Sequence, residues 1–351
     1  MQTSRPYDIC KVCTFGFRII DSQLTKVRDL ILGQLNIRNL VLDAKQDRAV
    51  FSYLRQQSCS GKMLRPGLLL LSYQATLDKS SKRSVSLKKD AVLSKAIRIA
   101  AVVEVIHYAT LLHDDVIDGG QKRRGLPTAN KLWGNEYAVL LGDFLLSRAF
   151  KMCASFEPKI VEVISALTAK ICEGELKQVW KRNQRRSLDE AEYLELIAEK
   201  TSVFFSDCCF LGGLLNEANK QQLEALSHYG RDFGTAYQIN DDLLDIFGSE
   251  KMTGKTLGND IQKNNQTLPF IHLLSKVDEQ ERNALNRQLS EGSFDKDVLA
   301  DLMVSYGSLE YAQNRVGELI SVAISALRPL EESKAKDVLI TTANSLVSNS
   351  D

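Results

Sequence analysis

Two runs of aspartate, Asp114-Asp115-Val116-Ile117-Asp118 and Asp241-Asp242-Leu243-Leu244-Asp245, are the residues of this sequence best suited to chemistry. On a helix the first and last aspartate of each run stand one turn apart on one face, with the second turned about 100° from the first. The first run ends a strongly apolar stretch, and Phe233, Tyr237, Leu244 and Phe247 suggest burial around the second. A single run is ordinary at a helix end. Two runs on apolar helices look like paired sites for hard cations, because buried aspartates need a partner. Magnesium suits them: it takes oxygen ligands, keeps several waters, and binds through one or two carboxylates plus substrate phosphates. The expected substrate carries a phosphate or diphosphate.

Such a substrate needs cations opposite the metal, and they occur in compact groups. Lys62 and Arg65 in Gly61-Lys-Met-Leu-Arg-Pro66 lie where a loop meets a helix start, a favourable place for an anion. Lys122-Arg123-Arg124-Gly125 follows the first aspartate run directly, and arginine suits forked phosphate contacts. The same group also balances the charge of Asp114 to Asp118. His107 lies two helical turns before Asp114 on the same stripe.

The elements that position these residues are helical. Six prolines in 351 residues and long stretches without period-2 alternation favour helices nearly throughout. Apolar periodicity predicts helices over 22–56, from near Pro66 to Leu77, then 91–118, 131–153, 158–180, 189–214, 220–247, 269–275, 278–289, 294–304, 308–327 and 330–347. Residues 78–90, Ser- and Lys-rich, read as an exposed loop. With no internal repeat and no long linker, the fold class expected is all-α: one large helical bundle over 21–351 around a central cavity, with 1–20 as an N-terminal extension.

Composition narrows the partners. The 45 Lys+Arg against 44 Asp+Glu leave a formal charge of +1, which removes a whole-molecule case for nucleic acid. Seven scattered cysteines do not suggest a disulfide framework, and Cys10-Lys-Val-Cys13 has no second pair nearby to complete a zinc site. The longest apolar stretch, Ala96 to His113, carries Arg98, Glu104 and His107, and reads as a buried or amphipathic helix, not a transmembrane one. The N-terminus has neither a secretory core nor a transit composition, so a cytoplasmic enzyme is expected, with organellar targeting left open.

Taken in order, GKMLRP (61–66), IHYATLLHDDVID (106–118), KRRGLPT (122–128), GDFLLSRAF (142–150), EGELKQ (173–178), KT (200–201), YQINDDLLDIFG (237–248) and GNDI followed by TLP (258–269) resemble the trans-isoprenyl diphosphate synthase family, most closely its long-chain polyprenyl members. The resemblance implies that Asp114, Asp115, Asp118, Asp241, Asp242 and Asp245 contact magnesium ions holding an allylic diphosphate. It implies that Lys62, Arg65, His107 and Arg124 hold isopentenyl diphosphate, and that Arg123, Lys200, Thr201, Gln238 and Lys255 hold the allylic one. Asp114, Asp115, Asp118, Lys200, Asp241 and Asp242 would be the catalytic set, and a homodimer is implied. The reaction needs no nucleophilic side chain: the allylic carbon–oxygen bond ionises as metal and basic groups stabilise the diphosphate, the double bond of isopentenyl diphosphate attacks, and a proton is lost.

Product length is expected from the helix before Asp114. Thr110 and Ala109 lie about 6 and 7.5 Å down it from that aspartate. Family members with short products tend to carry aromatics there, so these small residues imply a product longer than C20, in the C30 to C50 range for quinone side chains. Two departures stand out: Met63 where the family often has Arg, and Asn264-Asn265 where it usually has Gly-Lys, with Lys263 as a neighbouring cation. The alternatives are a C15 to C20 synthase, a terpene cyclase, or a non-catalytic partner subunit of a heteromeric synthase. The second aspartate run with Lys62 and Arg65 argues against the cyclase, and the intact aspartates argue against the partner subunit.

Overall fold

The computed structural model describes residues 17–35, 44–59, 61–77, 86–184, 187–248, 258, 265–291 and 294–347. A short 3-10 turn, Phe17–Ile20, leads into α1 (Asp21–Gln34), followed by α2 (Ala44–Cys59), α3 (Leu64–Ala75) and the long α4 (Ser86–Ile117). A two-stranded hairpin, β1 (Lys122–Arg123) and β2 (Leu126–Pro127), separates these from α5 (Ala129–Trp133), α6 (Asn135–Cys153) and α7 (Pro158–Gln184). Then come α8 (Glu190–Ile197), a π-helical turn (Ala198–Ser202), α9 (Val203–Leu214) and α10 (Lys220–Phe247). The chain closes with α11 (Leu268–Lys276), α12 (Glu279–Glu291), α13 (Lys296–Ser305), α14 (Ser308–Ala326) and α15 (Lys334–Asn344).

Helices α3, α4, α9 and α10 make the centre: α9 packs on α3 and α10, α3 on α4, and α4 on α6 and α1. Helix α10 begins where its sequence says it should. The Gln222 N–H donates to Asn219 Oδ1 and the Asn219 N–H to Gln222 Oε1, at 3.0 and 3.1 Å, closing a capping box. Glycine sets its distance from α9: a Cβ on Gly230 would stand 2.5 Å from the Phe205 carbonyl oxygen, and one on Gly234 2.8 Å from the Ser202 Cα. Among the described residues one helical segment, Asp90–Ile117, is long and apolar enough to cross a membrane, and 72% of its apolar window is buried inside the protein. Phe17 and Ile20 are buried too, and Phe17 lies against Gly67.

The all-α expectation holds, with local differences. The segment read as one helix over 22–56 is two, because α1 ends at Gln34 and α2 starts at Ala44. Helix α4 starts at Ser86, inside the stretch read as loop, since polar residues such as Lys are good helix formers. Gly134, at φ +88°, breaks 131–153 into α5 and α6. The hairpin at Lys122–Pro127 was not expected. Its two turn residues, Arg124 and Gly125, both have positive φ (52° and 76°), as a type I′ turn requires. The π-helical turn interrupts the helix read over 189–214. Cys153, Cys172, Cys208 and Cys209 are free thiols; Cys10 and Cys13 lie outside the described residues.

Candidate functional site

The first aspartate run occupies the C-terminal end of α4. Helical hydrogen bonding carries through it, Asp118 N–H to Asp114 C=O and Gly120 N–H to Asp115 C=O, each at 2.8 Å. The chain then turns through Gly119, at φ +59°, into the hairpin. The three carboxylates have different fates. Asp115 is 4% exposed and receives a forked pair from Arg123: Nη2 donates to Oδ1 at 2.8 Å, and Nε reaches both oxygens at 3.1 Å. Asp118 accepts from Arg182 Nη1 of α7 at 3.4 Å. The Asp114 carboxylate has no hydrogen bond or ion pair to the described residues. Burial, with Glu175 and Asp118 nearby, lifts its pKa to about 6 against the opposing pull of Lys200 and Arg123.

The second run repeats the division. Asp242 is buried and fully engaged, accepting from Tyr193 Oη at 2.6 Å and from Gln238 Nε2 at 2.8 Å. Asp241 and Asp245 are only partly buried. In each run the first and last residues share the open face and the second, turned about 100° away, is taken into the protein. Asp115 and Asp242, expected among the metal carboxylates, are hydrogen-bonded to Arg123 and to Tyr193 and Gln238 respectively. Arg123 joins the two runs. Burial works against its charge, but Asp115, Asp114 and Asp241 outweigh it and raise its pKa.

The π-helical turn supplies the third side. A Cβ on Gly174 would stand 3.0 Å from the Lys200 backbone nitrogen, so a larger residue there would have to push α7 and the turn a few tenths of an ångström apart. The close approach sets Lys200 Nζ 2.5 Å from Glu175 Oε2 and lets it donate to Gln178 Oε1 at 2.9 Å. Thr201 Oγ1 donates to Gln238 Oε1 at 2.9 Å, which links the turn through Gln238 to Asp242. Extra residues in a helix of this kind commonly mark functional sites.

A second group of cations gathers beside α4. Arg65 Nη1 donates to His107 Nε2 at 3.0 Å, which fixes that nitrogen as an acceptor. Arg124 donates through Nη1 to the Gln57 carbonyl and lies 5.9 Å over the Tyr108 ring. Lys62 is exposed, and Met63, 1% exposed with φ 52°, is part of the core and takes no place among these cations. Ala109 is fully buried and Thr110 partly open, its hydroxyl donating to the His107 carbonyl at 2.8 Å. Lys255, Lys263 and Asn264 lie outside the described residues.

The donor set fits a divalent ion. It offers hard carboxylates, one without a protein partner and with a raised pKa, facing lysine and arginine that would neutralise an anion bridging them. Among the described residues no three His, Cys, Asp or Glu side chains form a ready-made cage. Substrate oxygens and water must then supply most of the coordination, as magnesium sites allow. Gln57, Glu175, Gln178, Arg182 and Tyr193 belong to the site and were not picked from the sequence. Glu175, Gln178 and Arg182 recur at helical spacing on α7, a signal that was available; Gln57 and Tyr193 have none.

Residues 48–305 match the family model described as Polyprenyl synthetase. The chain is 33% identical to an octaprenyl diphosphate synthase of Haemophilus influenzae, covering 93% of this chain and 94% of that one. It is 32% identical to a short chain isoprenyl diphosphate synthase of Methanothermobacter thermautotrophicus, over 82% and 86%. In structure it resembles a decaprenyl diphosphate synthase from Rhodobacter capsulatus (TM-score 0.82, 30% identity, 96% and 98% covered). It also resembles a polyprenyl synthase from Caulobacter crescentus complexed with calcium and isoprenyl diphosphate (TM-score 0.83, 26% identity, 99% of each chain).

Proposed function

The chain belongs to the polyprenyl synthetase family and is a trans-prenyltransferase, and from that premise we propose that it elongates geranyl, farnesyl or geranylgeranyl diphosphate with isopentenyl diphosphate to a long-chain all-trans product of C30 to C50. The family works with divalent metal ions. Magnesium is the ion proposed here, held through Asp114, Asp118, Asp241 and Asp245, which share the partly buried faces of the two runs. When bound it would neutralise the charge that develops on the departing diphosphate.

The chain's own residues do the rest. Arg123 and Lys200 act on Asp114 and share the charge of the allylic diphosphate as its bond to carbon breaks. Asp115 holds the Arg123 fork and Asp242 holds Gln238, so neither cation nor amide has to reorganise during the reaction. Arg65, Arg124, Lys62 and His107 hold isopentenyl diphosphate, whose double bond attacks the allylic carbon. The attack leaves a carbocation on the isopentenyl unit, and the carbon next to it gives a proton to the released diphosphate, which forms the new double bond. Helices packed around α4 keep water from the cation.

The observation that carries this reading is the two aspartate runs, the first and last residues of each sharing one partly buried face, with Arg123 forked on Asp115 in the first. Residues Ala101 to Ile106 line the helix below Thr110 without a Phe or Trp, which supports a long product over a C15 to C20 one. A homodimer is the assembly proposed, through the face of α6 that exposes Val139, Leu140 and Phe150. The test is incubation of the purified protein with each allylic primer, labelled isopentenyl diphosphate and magnesium, followed by chromatography of the dephosphorylated product. A product ending at C15 or C20 rules out the long-chain reading, and no product at all rules out a self-sufficient enzyme.

A further inference from the structure

Glu104 is 2% exposed in the middle of α4, and the reaction described above gives it no role. Helical spacing puts it one turn before both His107 and Tyr108, at i+3 and i+4. Those two residues receive the two arginines, Arg65 through its 3.0 Å hydrogen bond to His107 and Arg124 over the Tyr108 ring at 5.9 Å. Arg65 is confined further by Phe204 and Phe205, whose ring centres lie 4.8 and 4.7 Å from its guanidinium carbon, while its Nε has no partner. The 61–66 loop closes on the same place: a Cβ on Gly61 would stand 3.0 Å from Tyr108 Oη and 3.1 Å from Arg124 Nη1. Burial raises the Glu104 pKa, and Arg65, Arg124, the Tyr108 hydroxyl and Arg28 of α1 all act to lower it.

Two guanidinium groups brought together in a buried place repel each other, and a carboxylate beneath both relieves that repulsion and fixes where they point. We propose that Glu104 is a positioning residue that holds Arg65 and Arg124 as a pair, and so sets the affinity for isopentenyl diphosphate and not for the allylic substrate. This rests on the assignment of Arg65 and Arg124 to isopentenyl diphosphate made above. Bare charge predicts the opposite sign: removing Glu104 makes the pocket more positive and should tighten the binding of an anion.

The measurement is steady-state kinetics with each substrate varied in turn. Glu104→Gln should raise KM for isopentenyl diphosphate about tenfold, the equivalent of ~1.4 kcal/mol, and leave KM for the allylic primer within about twofold. An unchanged or lowered KM for isopentenyl diphosphate, or an equal rise for both substrates, overturns the proposal. Arg65→Gln and Arg124→Gln separate the two levels of inference. If neither raises that KM, the substrate assignment is wrong; if they do and Glu104→Gln does not, the positioning role is wrong. Should Glu104→Gln fail to fold, as judged by circular dichroism, Tyr108→Phe takes its place. It removes the hydroxyl shared among Glu104, Arg124 and the Ser58 carbonyl, 3.0 Å away. A rise of about threefold confined to isopentenyl diphosphate is expected, and no change overturns the proposal.

Discussion

Among the six aspartates, Asp114 has the most to lose. It alone of the first run has no partner among the described residues, so Asp114→Ala should cut turnover by at least about a hundredfold with an unchanged circular dichroism spectrum. Full activity in that variant would remove the metal assignment. The raised pKa gives a second expectation. Between the ordinary carboxylate value and about 6 the folded chain holds a proton that the unfolded chain has lost, so metal-free stability falls as pH rises through that window. Magnesium needs the ionised form, so its binding should weaken as pH falls through about 6. Calorimetric titration at pH 5.5 and 7.5 tests this, and Asp114→Asn should flatten the difference. The two aspartate runs and their place on apolar helices were legible in the sequence from spacing. That Asp115 and Asp242 turn inward was not, because a helical wheel gives the angle between residues but not the arginine or tyrosine that waits at each angle.

At the scale of elements, α4 carries both the aspartates and the residues expected to set product length. Ala109 is enclosed and Thr110 partly open, so the two should respond differently to the same substitution. Thr110→Phe should shorten the product with little change in melting temperature, while Ala109→Phe should cost about 1–3 kcal/mol of stability through overpacking. Product chromatography and thermal melts distinguish them. The π-helical turn is the other decisive element. Gly174→Ala would press a Cβ to 3.0 Å from the Lys200 nitrogen, displacing the lysine from Glu175 and lowering kcat in a folded protein; an unchanged kcat would show that the turn tolerates the shift. Helix limits such as 220–247 followed from apolar period and the polar breaks between segments. The turn did not, because its cause is the backbone of α7, some twenty-six residues earlier in the chain.

For the whole molecule, the near balance of 45 basic and 44 acidic residues conceals a local separation. The aspartates gather at the C-terminal ends of α4 and α10, Arg123 and Lys200 act on them, and Arg65 and Arg124 gather further along α4 at His107 and Tyr108. Each of these cations is held by a protein partner, so they form an oriented set and not a bare positive pocket. The apolar face of α6, with Leu140 67% exposed and Phe150 46% exposed, is the surface expected to bury itself in a second copy. Sedimentation velocity should show a dimer, and Leu140→Arg should shift it toward monomer.

The sequence by itself determined the helical class, the two metal-suited runs and the family to which they point, because helical periodicity and residue spacing are local and survive in one dimension. Only the tertiary structure decided which carboxylate in each run is buried, that Arg123 forks onto Asp115, that α7 passes close to the Lys200 backbone at Gly174, and that Glu104 is buried one turn from the residues that receive Arg65 and Arg124. Those arrangements depend on contacts between segments far apart in the chain, and their geometry exists only once the helices have packed.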